Sequence, residues 1–365
     1  MPKNKSIFVI DENINQKIDL KNLSNTIITI IIGSYTERID LTSLPDTITT
    51  IIFGNSFNQK IDPDTLPKNL TTLMIGDSFN QIIGPDDLPQ MLTLIFGDSF
   101  NQKIVSNTLP KTLTTLILGE KFNKKLKINS LPQNLTTIVL GYMFNHRIEP
   151  DILPNTLINL VFSDKFNQII NHNTLPKNLT YIRFGWCFDQ NIGPNILPPN
   201  LITLIFGYMF NHKIGSRDLS LNLKTLILGY EFNQKIDPYS LPDTLTTLTF
   251  GWNFDQKLEL NSLPDNIKNL TFRGEFNQFI ECGILPKKLK TLIFGEKFDN
   301  ELMPGTLSKN LSSIEFGYNF NQTIEPNCLS KKLSTLKFGC EFNQIIGFHN
   351  LPENLENLTL GFKFN

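Results

Sequence analysis

The chain has 365 residues, with 33 basic and 34 acidic side chains and a formal net charge of −1. That balance leaves no cationic excess to neutralise phosphates, which argues against nucleic acid as the main partner. No apolar run approaches the roughly 20 residues that a membrane helix needs, and the opening stretch, MPKNKSIFVIDENINQ, lacks the apolar core and small-residue cleavage site of a signal peptide.

The first strand-like slots are Phe8 and Ile10, ahead of Ile14, and from there one phrase recurs to the last residue. At 66–81 it reads LPKNLTTLMIGDSFNQ, at 131–146 LPQNLTTIVLGYMFNH, and at 241–256 LPDTLTTLTFGWNFDQ. The Phe of its Phe-Asn pair serves as a marker: Phe57, Phe79, Phe100, Phe122 and so on to Phe364. The spacing is 22 residues throughout, except for 21 between Phe79 and Phe100. Tyr35 and Ile14 fill the same slot upstream. No interruption is long enough to be a linker. A period of this length signals a solenoid, so residues 1–365 are expected to form a single repeat domain of about 16–17 units.

Within a unit, Leu113-Thr-Thr-Leu116-Ile-Leu118 ends in the two-residue step of a strand. The β-branched residues around it favour an extended chain, and Gly119 breaks it. Paired prolines such as Pro63 and Pro67 exclude a helix interior from what remains. Each unit therefore reads as one short strand, a turn, and an extended or polyproline-like return forming the convex side, with little or no α-helix. Leu113, Leu116, Leu118, Phe122, Leu126 and Leu131 would all face a neighbouring unit. A lone unit has nothing to bury them against, so units must stack. Stacking pairs the strands in parallel, about 4.8 Å apart, and the usual hand of parallel crossovers makes the solenoid right-handed. The Asn after each marker, as at Asn58, Asn80 and Asn101, is expected to bond the turn backbone through both halves of its amide. Asp takes its place at 189, 255 and 299. Having no donor, Asp is expected to leave those turns more hydrated.

The run Phe57-Asn58-Gln59-x-Ile61, followed by Leu-Pro and Leu-x-x-Leu-x-Phe-Gly, resembles the FNIP repeat, a short relative of the leucine-rich repeat known from amoebae and the large DNA viruses that infect them. The resemblance covers essentially the whole chain and implies a leucine-rich-repeat-like arc. Ser replaces the Pro of Leu-Pro at 24, 220, 308 and 330. In the family such repeats often follow an F-box, which implies substrate selection for a ubiquitin ligase. Here the repeats begin by about residue 7 and leave no room for one, so the recognition role is the one expected to carry over.

No chemistry is spelled out. His146 and His212 share a slot three units apart, roughly 14 Å by the strand spacing, too far for joint metal ligation. His172 and His349 stand elsewhere in the repeat. Cys187, Cys282, Cys328 and Cys340 follow no paired spacing, in keeping with a reduced, cytoplasmic setting. Phosphate-binding loops, paired catalytic carboxylates and nucleophile elbows are all missing. No enzyme activity, cofactor or metal is expected.

Function should then lie in slots that the repeat leaves free. One is the outward strand position, occupied by Ile52, Met74, Ile95, Ile117, Val139 and Val161 and later by Arg183, Glu315 and Lys337. Alternation places it on the concave sheet surface. Either it suits an exposed strand, or it is an apolar strip awaiting a partner. The other slot lies two residues before the marker. It holds Asn55, Asp77, Asp98 and Glu120 early, then Tyr142, Asp164 and an unbroken run of Trp186, Tyr208, Tyr230 and Trp252. Tyr, Trp and Arg are enriched at binding hot spots, so Tyr181, Arg183, Trp186, Tyr208, Tyr230 and Trp252 are the candidate surface for a protein partner. Stacking that merely stiffens the rim is the competing account. An alternative function is a self-assembling scaffold, with end units pairing between copies into a homodimer or larger array.

Overall fold

The computed structural model describes residues 6–10, 20, 23–33, 38–347 and 349–365. The expected marker slots at Ile14 and Tyr35 lie outside these. The chain divides into two compact units, residues 1–179 and 180–365.

In the N-terminal unit the strands are β1 Ile7–Ile10, β2 Thr29–Ile32, β3 Thr50–Phe53, β4 Thr72–Met74, β5 Thr93–Ile95, β6 Thr115–Ile117, β7 Thr137–Val139 and β8 Asn159–Val161. Each pairs in parallel with the next, one repeat per strand: Leu116 opposes Leu94 on one side and Ile138 on the other. The C-terminal unit repeats the pattern with β9 Tyr181–Arg183, β10 Thr203–Ile205, β11 Thr225–Ile227, β12 Thr247–Thr249, β13 Asn269–Thr271, β14 Thr291–Ile293, β15 Ser313–Glu315, β16 Thr335–Lys337 and β17 Asn357–Thr359. There Leu226 opposes Leu204 and Leu248. No α-helix occurs among the described residues; one 3-10 turn spans Leu41–Ser43.

The round trip from strand to strand is made by tight turns, as the repeated glycines and prolines lead one to expect. In the sixth repeat the Phe122 N–H donates to the Gly119 carbonyl (3.0 Å), Ser130 to Lys127 (3.0 Å) and Leu135 to Pro132 (3.2 Å). From Asp64 to Asn327 the middle turn puts one residue per repeat in the left-handed region, φ 65° at Asn107 and 62° at Asn129. Asn, Asp and Gly tolerate this best, and they recur there, with Arg217 and Tyr239 as exceptions.

The six side chains expected to face a neighbour are all buried: Leu113, Leu116, Leu118, Phe122, Leu126 and Leu131. Marker rings lie over one another from repeat to repeat, 6.1 Å between the centroids of Phe100 and Phe122 and 6.2 Å between Phe122 and Phe144. In the C-terminal unit the Phe232–Phe254 spacing is again 6.1 Å. The glycine that follows most strands permits this close approach. A Cβ on Gly119 would fall 1.8 Å from the carbonyl oxygen of Gly97, inside any permitted contact.

The Asn after the marker forms a ladder, but not with both halves of the amide. Asn80 N–H donates to Asn58 Oδ1 (2.9 Å), Asn101 to Asn80 (2.9 Å) and Asn123 to Asn101 (3.0 Å). Each rung reaches back to an oxygen of the rung before. An acceptor is all the ladder asks for, so Asp fits without loss: Asp255 Oδ1 accepts from Asn277 N–H (2.9 Å) and Gln278 Nε2 (3.0 Å). Asp299 accepts the equivalent pair from Asn321 and Gln322. The expected deficit at the Asp turns has no counterpart in this bonding pattern. Ser in place of Pro likewise gains bonds: Ser308 Oγ donates to the Lys287 carbonyl (2.9 Å) and accepts from Asn310 N–H (3.2 Å).

Candidate functional site

All six candidate residues belong to the C-terminal unit. Tyr181 and Arg183 are the two outward positions of β9, opposite Thr203 and Ile205 of β10. Tyr181 is half-buried and Arg183 exposed. Three residues later in the same repeat comes Trp186, just beyond the strand, and the aromatic slot then runs from one repeat to the next.

Four rings in that slot form one column. Trp186 and Tyr208 lie 4.2 Å apart and within 3° of parallel. Tyr208 and Tyr230 follow at 4.4 Å and 8°, then Tyr230 and Trp252 at 5.7 Å and 2°. The stacking expected of a stiffened rim is therefore present. It does not hide the rings: Trp186 is 54% exposed, and Tyr208, Tyr230 and Trp252 are half-buried. Their faces contact each other while part of each side chain remains at the surface. Desolvation beside the column pushes the Tyr208 phenol above its usual range, and the neighbouring Tyr230 and Glu231 act in the same direction. Glu231 is itself held by Asn253 Nδ2 at 2.6 Å.

The column ends at a glycine. Gly274 occupies the aromatic slot after Trp252, and a Cβ there would sit 2.5 Å from the indole. Trp252 thus lies flat over bare backbone. Beyond it opens a groove of about 680 Å³, lined by Trp252, Arg273, Ile293, Glu315 and Tyr318 among others. Tyr318 shares the aromatic slot and is 52% exposed. Its link to the site shows only once the groove is seen.

The outward apolar strip belongs to the N-terminal unit. Ile52, Met74, Ile95, Ile117, Val139 and Val161 are each half-buried, shielded by their own neighbours in the row. His146 and His212 take the place of the Gln two residues after the marker. Nε2 of His146 lies 3.1 Å from the Asn123 carbonyl and that of His212 lies 3.0 Å from the Asp189 carbonyl. Gln102 Nε2 donates to the Asn80 carbonyl in the same way (2.9 Å), so both rings stand in for the amide. Among the described residues no group of three or more His, Cys, Asp or Glu side chains could hold a metal ion, and no helix is long and apolar enough to cross a membrane.

Seven segments, residues 57–93, 79–121, 122–165, 166–209, 210–253, 254–297 and 298–341, match the FNIP Repeat family. The chain belongs to that family. This FNIP chain also superposes on CroV588, described as a novel circular LRR protein, at 37% identity and a TM-score of 0.83. The match covers 95% of the FNIP chain and 58% of CroV588, so the chain spans less than two thirds of that protein. YopM of Yersinia pestis, a leucine-rich effector protein, matches at 19% identity and a TM-score of 0.54, over 92% of this chain and 83% of its own. YopM of Yersinia enterocolitica WA-314 matches at 22% identity and a TM-score of 0.50, over 93% and 74%. At such identities the YopM likeness establishes the leucine-rich-repeat-like fold alone. Among curated proteins none matches the FNIP chain.

Proposed function

We propose that this FNIP chain is a non-catalytic, cytoplasmic protein-interaction module, and that Tyr181, Arg183, Trp186, Tyr208, Tyr230 and Trp252 centre its binding surface. The observation that carries the reading is the four-ring column in a slot that packing does not constrain, since Asp, Glu, Gly and Asn fill it elsewhere. Pre-stacked rings have little side-chain freedom left to lose on binding. That is how rigid aromatic anchors gain affinity. Arg183 adds an exposed cation at the Trp186 end, suited to a partner with a carboxylate beside an apolar patch. The test is capture of partners from cytosol, read by mass spectrometry. Trp186→Ala and Tyr208→Ala should lose those partners while keeping the circular dichroism of the parent. Undiminished capture by both variants overturns the reading.

The 22-residue spacing, shortened only once to 21, also supports residues 1–365 acting as a single repeat domain. One calorimetric transition is expected; two resolved transitions overturn it.

A further inference from the structure

The turn that leads into each strand of the C-terminal unit carries lysine in one slot of three consecutive repeats: Lys287, Lys309 and Lys331. Beside them a dent of about 480 Å³ is lined by Lys268, Lys288, Lys290 and Lys332, with Asn310 and Ser312. Repeats in this unit are in register, so like charges recur at the strand spacing of about 4.8 Å.

Elsewhere in the same unit the chain cancels such charges. After the markers, Lys213 pairs with Asp237 (2.6 Å), Lys235 with Glu259 (2.7 Å) and Lys257 with Glu281 (2.9 Å), each across one repeat. At the strand-entry edge Lys287 meets a carboxylate, Asp265, at 2.7 Å. Lys288 and Lys332 reach amide oxygens, of Asn266 and Asn310. Lys268, Lys290, Lys309 and Lys331 form no ion pair among the described residues. Asp243 on one side and Glu353 and Glu356 on the other close the patch. Countercharge missing within the chain is countercharge left to a partner.

We propose that this edge docks an acidic, carboxylate-rich segment of a partner protein, separately from the aromatic column. A nucleic acid fits less well, since the lining offers neither an aromatic ring for bases nor an arginine fork for phosphate.

The probe is a labelled peptide of alternating Glu and Ser, followed by fluorescence anisotropy on the full chain at low and high salt. Binding should weaken as salt rises. Lys309→Glu should lower affinity about tenfold. It should also leave the melting temperature unchanged or raised, because it separates Lys287 from Lys331. Lys288→Glu with Lys332→Glu gives a second reversal on the other slot, and Trp186→Ala should bind the peptide like the parent. Three results overturn the proposal: no salt-sensitive peptide binding, affinity equal to the parent's in both reversal variants, or tighter binding of a labelled oligothymidylate than of the peptide.

Discussion

Tyr142 and Tyr208 fill the same slot of their repeats in different company. In the N-terminal unit Tyr142 shares the slot with Asp77, Asp98, Glu120 and Asp164, and the Lys165 ammonium lies 5.6 Å from its ring centroid. In the C-terminal unit Tyr208 is stacked between Trp186 and Tyr230. One layer inward the difference vanishes: Phe122 to Phe144 is 6.2 Å and Phe210 to Phe232 is 6.1 Å. In a stacked array each slot becomes a column, and a residue packs against its own counterpart in the next repeat. Interior columns can hold only what packs on itself. Surface columns can be charged, aromatic or mixed, and that choice separates the two units.

If the interior is one device used twice, the largest effects should be the same in both units. Phe122→Ala and Phe210→Ala should each lower stability by about 3–5 kcal/mol, the usual loss for emptying a phenylalanine site. Urea denaturation measures both, and a clear inequality breaks the comparison. Gly119→Ala and Gly207→Ala come next. Their Cβ atoms would fall 1.8 and 1.6 Å from the preceding glycine carbonyl, so at least about 1–3 kcal/mol of overpacking is expected in each. Ser163 is one natural exception, Arg273 another. Ser163 fills that glycine slot and donates its hydroxyl to the Phe144 carbonyl, which shows the layer can be opened where a hydrogen bond holds it.

The interior could be read before any coordinates because two periods reinforce each other there. Alternation places Leu116 inward, and 22-residue recurrence says that its neighbour is Leu94 or Ile138. The membership of the aromatic column was equally legible, since it follows from spacing alone. What the spacing leaves out is the offset between adjoining turns. Only the offset shows that Asn101 serves the next rung through its oxygen and that Trp252 comes to rest on Gly274. The left-handed turn position could have been found from the Asp, Asn and Gly that recur seven residues after the marker, but Arg217 and Tyr239 blur that column.

The Asn ladder sharpens the comparison at smaller magnitude, being all Asn from Asn58 to Asn145 and mixed with Asp further on. Asn101→Ala removes the acceptor for the Asn123 N–H and should cost about 1 kcal/mol. Asn101→Asp and Asp255→Asn should both be close to neutral. A marked loss for Asn101→Asp, or a marked gain for Asp255→Asn, would mean the amide donor matters after all. On the aromatic side, Gly274→Ala should push the Trp252 indole off its seat. Its fluorescence should shift toward that of a solvated indole, with roughly 0.5–1.5 kcal/mol of ring packing lost.

The smallest effect concerns the two charged edges of the C-terminal unit, and pH tells them apart. The Lys287 ammonium, hydrogen-bonded to Asp265, holds that carboxyl below its ordinary range. A folded value below the unfolded one means that the pair's stability is fully present above the ordinary aspartate range and is lost as pH falls through the folded value. Lys235 and Lys257 are displaced upward by hydrogen bonds to Glu259 and Glu281. Their contribution is whole below the ordinary lysine range and disappears as pH climbs through the raised values. Asp265→Asn should therefore flatten the acid limb of a stability–pH curve and leave the alkaline limb alone, whereas Lys235→Gln should do the reverse. Both groups are exposed, so added salt should shrink both differences. A change on the wrong limb would mean that the Lys287–Asp265 and Lys235–Glu259 pairs do not carry the pH dependence of their edges.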